Sequence, residues 1–231
     1  MPDCAIFADT GWEPDAVYVH LGRLTVALPF PIYTVSAGNI RADAMATSNT
    51  TGGRFAAIPW FTVNPDGSHG MGRRQCTSEY KVRPIQRKIV ELTGGRKRAS
   101  ANVWIGISTD EIQRMRPSRV QYIVNRHPLI EAGLSRRDCQ AWLFDKGWDA
   151  PRSACIGCPF HSDREWRLLS PAEFADACEV DAAIRRPTRG IRAEQFMHAQ
   201  RVPLADVDLS TWAQRGQPDL FNLECEGMCG V

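Results

Sequence analysis

Apolar residues in the first part of the chain change from strand-like to helical spacing and back. Cys4–Ala8 is a short apolar run that ends in Asp9-Thr10-Gly11, a pattern typical of a strand followed by a turn. After Pro14, apolar residues recur at helical spacing: Val17, Leu21, Leu24 and Leu28. Ile32–Val35 then predicts a second strand. A strand, a helix and a strand in so short a span predict a parallel βαβ unit.

The middle of the chain predicts long loops around a helix and a strand. Residues 36–57 are rich in small and polar residues, and Asn64–Gly72 contains a turn sequence, so both predict loops. A helix is predicted from Pro84 to Gly94-Gly95. Val103–Ile107 predicts a third strand, and the residues after it, Ser108-Thr109-Asp110-Glu111, are typical of a helix N-terminus.

The last third predicts helices and irregular segments. Ser135, Ser162 and Ser170-Pro171 each have the spacing of a helix start, the first two as capping boxes with Asp138 and Glu165. Trp142 and Trp166 are expected in the apolar faces of these helices, and the tail from Pro203 is expected to be irregular. The order of elements predicts an α/β fold with a parallel twisted sheet and flanking helices in residues 1–150. Residues 151–231 are predicted to form a helical, cysteine-bearing C-terminal region.

The composition and charge of the chain exclude some classes of protein. The chain has 231 residues, 43% of them hydrophobic, which is enough for an α/β domain with a substantial core. No stretch approaches the roughly 20 apolar residues of a membrane span, and Met1-Pro2-Asp3 lacks the features of a secretory signal, so a soluble cytoplasmic protein without a membrane partner is expected. The net charge is only +2. Local arginine clusters, such as Arg96-Lys97-Arg98, are either solvated faces or contacts to phosphate and nucleic acid.

Eight cysteines are many for a reducing compartment, and they indicate metal or redox chemistry. Three lie in predicted strands or helices and are interpreted as core residues: Cys4, Cys139 and Cys178. Five lie in predicted loops: Cys76, Cys155, Cys158, Cys225 and Cys229. The turn in a Cys-x-x-Cys pair aims both sulfurs inward, a spacing used by zinc and iron–sulfur sites. Cys76 and one tail cysteine are expected to supply the remaining thiolates.

Other interpretations of the same cysteines stay open. His161 closely follows Cys158, so a structural zinc site could use Cys76, Cys155, Cys158 and His161. A thioredoxin-like dithiol is a weaker alternative, since that motif belongs where a strand ends and a helix begins, whereas this pair follows a predicted loop. Structural cysteines without any metal are a further alternative.

Several segments together resemble the phosphoadenosine-phosphosulfate reductase family, within the PP-loop superfamily of adenine-nucleotide α-hydrolase-like folds. The segments that carry the resemblance are Phe7–Trp12, Cys76–Ile85, Trp104–Ser108 with Arg114, Asn125–Ile130, Ser153–Pro159 and Glu224-Cys225. They cover roughly residues 4–160 and the last few residues.

The resemblance implies an adenine nucleotide-binding α/β fold, a [4Fe–4S] cluster and sulfur chemistry. By position in the matching motifs, the nucleotide contacts would be Asp9, Thr10, Gly11, Gly106 and Arg114. The cluster ligands would be Cys76, Cys155, Cys158 and Cys229, and Cys225 would be the catalytic nucleophile. The implied substrate is an adenylyl sulfate, with a thiol reductant such as thioredoxin as partner.

Two features depart from the family pattern. The Ser-Gly-Gly phosphate loop of the family precedes the Asp-Thr-Gly strand, but only Met1-Pro2-Asp3 precedes it here. Either a segment lies upstream of this sequence, which is the expected explanation, or the protein does not bind ATP in the manner of the family. Where the family has two adjacent cysteines, this chain has Cys76 followed by Thr77. If the fourth cysteine ligand is missing, one iron of the cluster would have no protein ligand, as is thought for related enzymes that thiolate nucleic acids.

Three functions therefore remain as hypotheses. The first is thiol-dependent reduction of an adenylyl sulfate. The second is ATP-dependent sulfur transfer to tRNA or DNA, with the arginine clusters contacting phosphates. The third is a metal-stabilised binding module without catalysis. The Glu224-Cys225 pair near the end of the chain favours the reductase hypothesis.

Overall fold

A computed structural model describes residues 1–46, 58–186, 191–211 and 214 of the chain. Its strands are β1 (Ala5–Asp9), β2 (Ile32–Ser36), β3 (Phe61–Val63), β4 (His69–Met71), β5 (Ala101–Trp104), β6 (Ile123–Arg126) and β7 (Glu194–Phe196). Its α-helices are α1 (Asp15–Ala27), α2 (Ile40–Met45), α3 (Arg83–Leu92), α4 (Pro128–Glu131), α5 (Arg136–Asp145), α6 (Asp163–Leu168) and α7 (Pro171–Ile184). A π-helix (Thr77–Val82) runs directly into α3, and two 3₁₀-helices span Thr109–Arg114 and Leu204–Asp206.

Two parallel strand pairs form the α/β part of the molecule. β1 pairs with β2 over their full lengths, from Ala5 opposite Ile32 to Asp9 opposite Ser36, which confirms the predicted βαβ unit. β5 pairs with β6 in the same parallel sense. The described strands thus give a mixed α/β fold with small parallel sheets, and β1–β2 and β5–β6 are not hydrogen-bonded to each other.

Helix α3 packs against both parallel pairs. Ile89 of α3 forms a small buried cluster with Tyr122 and Ile123, and Ile6 of β1 and Val103 of β5 pack against it. The face of α3 that carries Ile85 and Ile89 matches the predicted helix. The strand predicted at Val103–Ile107 lies earlier, at Ala101–Trp104, because only those residues pair with β6.

A three-stranded antiparallel sheet, in the order β4-β3-β7, was not predicted. The prediction of a loop over Asn64–Gly72 was wrong at His69–Met71, because the turn around Gly67 (φ +80°) folds that segment back onto β3 as a hairpin. β7 pairs with the other edge of β3, with Phe61 opposite Phe196. That partner lies more than 130 residues away in the chain, so local patterns carry no signal for it.

The predicted loop over residues 36–57 also contains a helix. The side chain of Asn39 accepts a hydrogen bond from the Ala42 amide at 2.9 Å and caps α2. The Thr50–Gly53 segment lies outside the described residues.

The three predicted serine-capped helices are confirmed. Ser135, Ser162 and Ser170 each accept a hydrogen bond from the backbone three residues on, in complete capping boxes. Trp166 of α6 is buried as expected, but Trp142 of α5 is 59% exposed, so its assignment to a helix core was wrong. Helix α5 fully buries none of its residues, and its two aromatic side chains, Trp142 and Phe144, are exposed.

The main hydrophobic core joins residues from before and after position 150. It combines residues before position 150, among them Trp12, Ile40, Trp60 and Tyr80, with residues after it, among them Trp166, Val180, Met197 and Leu204. The buried carboxylate of Asp181 accepts backbone hydrogen bonds from Met197 (2.8 Å) and Leu204 (3.0 Å) and fixes this segment on α7. The division at residue 150 stays a prediction. No helix among the described residues has the length and apolar character needed to cross a membrane.

Candidate metal centre

Three of the five loop cysteines line one cavity of about 170 Å³: Cys76, Cys155 and Cys158. Cys76 immediately precedes the π-helix that leads into α3. Cys155 and Cys158 stand at the two ends of a tight turn, in which the Cys158 amide donates to the Cys155 carbonyl at 3.0 Å. The fold thus brings together thiols that are about 80 residues apart in the sequence.

The two thiols of the turn are unequal. The Cys155 thiol donates a hydrogen bond to the Cys158 sulfur, which lowers the pKa of Cys158 to about 7 despite its burial. The same hydrogen bond, together with burial, raises the pKa of Cys155. Burial, and then the nearby Cys158 sulfur, raise the pKa of Cys76. Cys158 is therefore the most readily ionised of the three thiols.

The cysteine turn is held by the segment that follows β1. The Ile156 amide donates to the Trp12 carbonyl at 2.8 Å. The Trp12 indole lies against Gly157, where a Cβ would come within 2.2 Å of two ring carbons. Trp60 donates from its indole nitrogen to the Gly157 carbonyl at 3.1 Å, and Trp12 donates to Asp176 of α7 at 2.6 Å. Position 157 must be glycine because no side chain fits beneath the Trp12 indole.

The buried carboxylate of Glu13 connects the Asp-Thr-Gly turn to the part of the cavity that holds the thiols. Thr10 lines the cavity, and its hydroxyl donates to the Glu13 carboxylate at 2.9 Å. Lys81 of the π-helix pairs with the same Glu13 oxygen at 3.2 Å. Burial alone would lower the pKa of Lys81, but Glu13 and the sulfurs of Cys155 and Cys158 outweigh it and raise that pKa. Lys81 is therefore a stable cation beside the thiols.

Two arginines add positive charge to the cavity wall. Arg74 lies over the Phe160 ring, with its guanidinium carbon 5.2 Å from the ring centroid. Arg152 pairs with Glu165 of α6 and also donates to the Phe160 carbonyl at 3.4 Å. With Lys81, these side chains make the cavity suitable for thiolates and for an anionic ligand.

His161 is turned away from the thiols. Its Nε2 lies 3.0 Å from the Cys155 carbonyl oxygen, and its Nδ1 faces Glu165 at 4.0 Å. The ring packs edge-on against Trp166, with 4.8 Å between ring centroids, and burial lowers the pKa of His161. In this arrangement neither ring nitrogen of His161 joins the three cysteines.

The residues implied as nucleotide contacts fall into two groups. Thr10 lines the cysteine cavity, and Asp9 and Gly11 are its neighbours in the chain. The Asp9 carboxylate accepts the Gly11 amide at 2.7 Å, and Gly11 (φ +70°) sits so close to Asn39 that a Cβ would meet its amide nitrogen at 2.9 Å. Gly106 and Arg114 do not line the cysteine cavity, and Arg114 instead pairs with Glu111 at 2.5 Å.

The remaining predicted site residues, the nucleophile Cys225 and the ligand Cys229, lie outside the described residues. Within the part of the chain that the structure describes, no three His, Cys, Asp or Glu side chains are close enough to hold a single metal ion. The three cysteines share a cavity without converging on one point.

Three contributors to this site were not predicted from the sequence: Glu13, Lys81 and Arg152. Lys81 has no signal in α-helical spacing, because a residue five positions after Cys76 lies about 140° around an α-helix from it. Glu13 has a weak signal in its place directly after the Asp-Thr-Gly turn. Comparison with known protein families, with curated proteins and with solved structures finds no match for this chain.

Proposed function

We propose that this protein is a cysteine-ligated iron–sulfur protein of sulfur metabolism that reduces an adenylyl sulfate with thiols. The observation that carries the proposal is the cavity in which Cys76, Cys155 and Cys158 lie beside Lys81 and Thr10. A set of thiols with an adjacent cation suits both a cluster and a sulfonated anion.

A cluster is proposed over a single zinc ion because the Cys76 and Cys155–Cys158 segments resemble those that hold a cluster in the reductases. A single zinc ion needs four donors at about 2.3 Å, and no three donors so placed are found among the described residues. In a cubane cluster each thiolate binds a different iron, so the Cys155 and Cys158 sulfurs, which are hydrogen-bonded to each other here, would separate on binding. Cys76, Cys155 and Cys158 would hold three irons, with Cys229 as the proposed fourth ligand. When bound, the cluster would supply a polarising, redox-capable group at the wall of the cavity.

The residues around the thiols would bind and orient the anionic substrate. Lys81 remains protonated because of Glu13 and the sulfurs, so it can attract a phosphate or sulfonate oxygen. Arg74 and Arg152 lie on the same wall. The Thr10 hydroxyl is held by Glu13, which fixes the Asp-Thr-Gly turn against the site.

In the proposed reaction the Cys225 thiolate attacks the sulfonyl sulfur of the adenylyl sulfate. A sulfur–sulfur bond forms, the bond between that sulfur and the bridging phosphate oxygen breaks, and the adenosine phosphate leaves with the electron pair. A thiol of a thioredoxin-type reductant then attacks the Cys225 sulfur and releases sulfite. The resulting disulfide is reduced by the second thiol of that reductant.

Sulfite release tests this function. Anaerobically purified protein is mixed with adenylyl sulfate or its 3′-phosphorylated form and reduced thioredoxin, and sulfite is measured. We expect release that Cys225→Ser abolishes and that Lys81→Met lowers at least tenfold. Cys139→Ser, a change on α5 away from the cavity, should leave the rate unchanged. Release unaffected by Cys225→Ser would contradict the proposed nucleophile.

One observation favours a second function, sulfur transfer to nucleic acid. Thr77 follows Cys76 on the cavity wall, where the resembling reductases carry another cysteine. An iron without a protein thiolate could carry a sulfide for transfer. If so, incubation of the protein with ATP, sulfide and tRNA or DNA should produce a thiolated nucleoside. Mass spectrometry of the nucleosides would detect it. Sulfite release with no thiolated product would exclude this second function.

A further inference from the structure

A second cavity, of about 250 Å³, lies along helix α3. It is lined by Arg83, Gln86, Arg87, Val90, Arg96 and Tyr122, and it shares no residue with the cysteine cavity. The proposed reductase chemistry uses none of these residues, whereas sulfur transfer to nucleic acid would use Arg96, which belongs to the Arg96-Lys97-Arg98 cluster.

The fold places three guanidinium groups around this cavity. Arg83 and Arg87 are four residues apart on α3 and so lie on one face of the helix. Gly94 (φ +65°) and Gly95 (φ +145°) end α3, and the Gly95 amide bonds back to the Val90 carbonyl at 3.0 Å. This turn brings Arg96 back to the same cavity.

The polar side chains of the cavity lack protein partners. Among the described residues, no ion pair or side-chain hydrogen bond is made by Arg83, Arg87, Arg96 or Gln86. The Tyr122 hydroxyl also has no partner there and is open to solvent, although the rest of the side chain is buried. The nearby acidic residue of α3, Glu91, is already paired with Lys88 at 2.6 Å.

Unpaired like charges at this spacing destabilise a helix by a few tenths of a kcal/mol for each pair. A bound anion would remove that repulsion and take the place of the water that solvates these exposed guanidinium groups. Arginine, glutamine and tyrosine are donors that commonly contact phosphate oxygens. From Arg83 to Val90 the helix rises about 10 Å, which exceeds the width of a single phosphate group.

We propose that Arg83, Arg87 and Arg96, with Gln86 and Tyr122, form a binding site for the phosphates of an extended ligand. The phosphates come either from the backbone of a polynucleotide or from the phosphate chain of a free nucleotide. Both have the same chemistry at this site, and the experiment separates them. The site shares no residue with the cysteine cavity, so its test does not depend on whether the proposed reductase function is correct.

The test uses the full-length, anaerobically purified protein and fluorescence anisotropy. The probes are a labelled single-stranded oligonucleotide, a labelled tRNA and a labelled ATP analogue, each over a series of salt concentrations. The test variant is Arg83→Gln with Arg87→Gln, which removes two charges from the cavity. The matched control is Arg23→Gln with Arg137→Gln, which removes two charges from exposed positions on α1 and α5. Thermal unfolding verifies that all variants are folded.

We expect the cavity variant to bind its phosphate ligand at least tenfold more weakly than the wild type, and the control to bind within twofold. For a polynucleotide, the slope of log K against log salt should fall by about 1.4–1.8, because two phosphate contacts are lost. Arg83→Lys with Arg87→Lys should retain the salt dependence of the wild type. Binding of the oligonucleotide or tRNA without the ATP analogue identifies a polynucleotide backbone, whereas binding of the ATP analogue alone identifies a free nucleotide.

Two results would overturn the proposal. One is equal weakening in the cavity variant and the control, which would assign binding to overall charge. The other is failure of the wild-type protein to bind any of the three probes at low salt.

Discussion

Gly157 occupies the point where the cysteine turn meets the indole of Trp12. A Cβ at this position would lie 2.2 Å from two ring carbons, so Gly157→Ala must displace the ring or the turn. We expect a loss of about 1–3 kcal/mol in the free energy of unfolding, measured by chemical denaturation. Gly106→Ala is the matched control, because no atom lies within 4 Å of a Cβ built there. Equal stability of the two variants would contradict the packing described for the turn.

A second prediction at the residue scale concerns Glu165, which pairs with Arg152 of the cavity wall. Burial alone would raise the pKa of Glu165, but the hydrogen bond from Arg152 outweighs burial and holds that pKa below its ordinary value of 4.5. A carboxylate with a depressed folded pKa stabilises the protein above its unfolded pKa, and the contribution is lost as the pH falls through the folded pKa.

Glu165→Gln keeps a side chain that suits the capping box with Ser162 but removes the charge. At pH 7 we expect the variant to be less stable than the wild type by about 1–3 kcal/mol. The difference should shrink as the pH falls below 4.5, where Glu165 of the wild type becomes protonated. Denaturation midpoints from pH 7 to pH 3 measure it. A difference that stays constant over this range would show that charge is not its cause.

At the scale of elements, capped helices α5 and α7 differ in what they pack against. Helix α7 buries Ala177, Val180 and Ile184, whereas α5 buries no residue. We expect Ser170→Ala to lower the free energy of global unfolding by about 1 kcal/mol. Ser135→Ala, which removes the equivalent cap from α5, should leave global stability nearly unchanged and speed amide exchange only within residues 136–145. A global loss from Ser135→Ala would contradict the exposed position of α5.

The elements that could be predicted from the sequence are those specified by local patterns. The βαβ unit and the three serine-capped helices follow from spacing within a few residues. The pairing of β7 with β3 depends on residues far apart, and the π-helix before α3 has no distinctive apolar period. Trp142 shows the limit of periodicity, because helical spacing does not reveal whether anything covers the helix face.

The residues of the candidate site also divide into those that local sequence patterns predict and those that they do not. The Cys155–Cys158 pair follows from its spacing, and Cys76 from its position outside any apolar pattern. Lys81 and Glu13 contribute through a buried ion pair, and such a pair is created only when the π-helix packs beside the end of β1. Sequence spacing cannot show which of many charged residues will be buried together.

For the whole molecule, the main core predicts one cooperative unit in the described residues. Met197 is fully buried in a cluster that also contains Trp12 and Trp60. Met197→Ala should destabilise the protein by about 2–5 kcal/mol. Hydrogen exchange under increasing denaturant should show peptides before and after residue 150 opening together, and at lower denaturant in the variant. Opening of only the later peptides would instead support two independent units divided at residue 150.

We propose that Cys76, Cys155 and Cys158 hold an iron–sulfur cluster. Iron, acid-labile sulfide and zinc are measured per chain in protein purified without oxygen, together with the visible absorption spectrum. We predict about four irons and four sulfides per chain, with broad absorption in the visible region, and loss of both when any of these three cysteines is changed to serine. Cys139→Ser should retain the full content. One zinc without sulfide, or iron that persists in all three variants, would contradict the account.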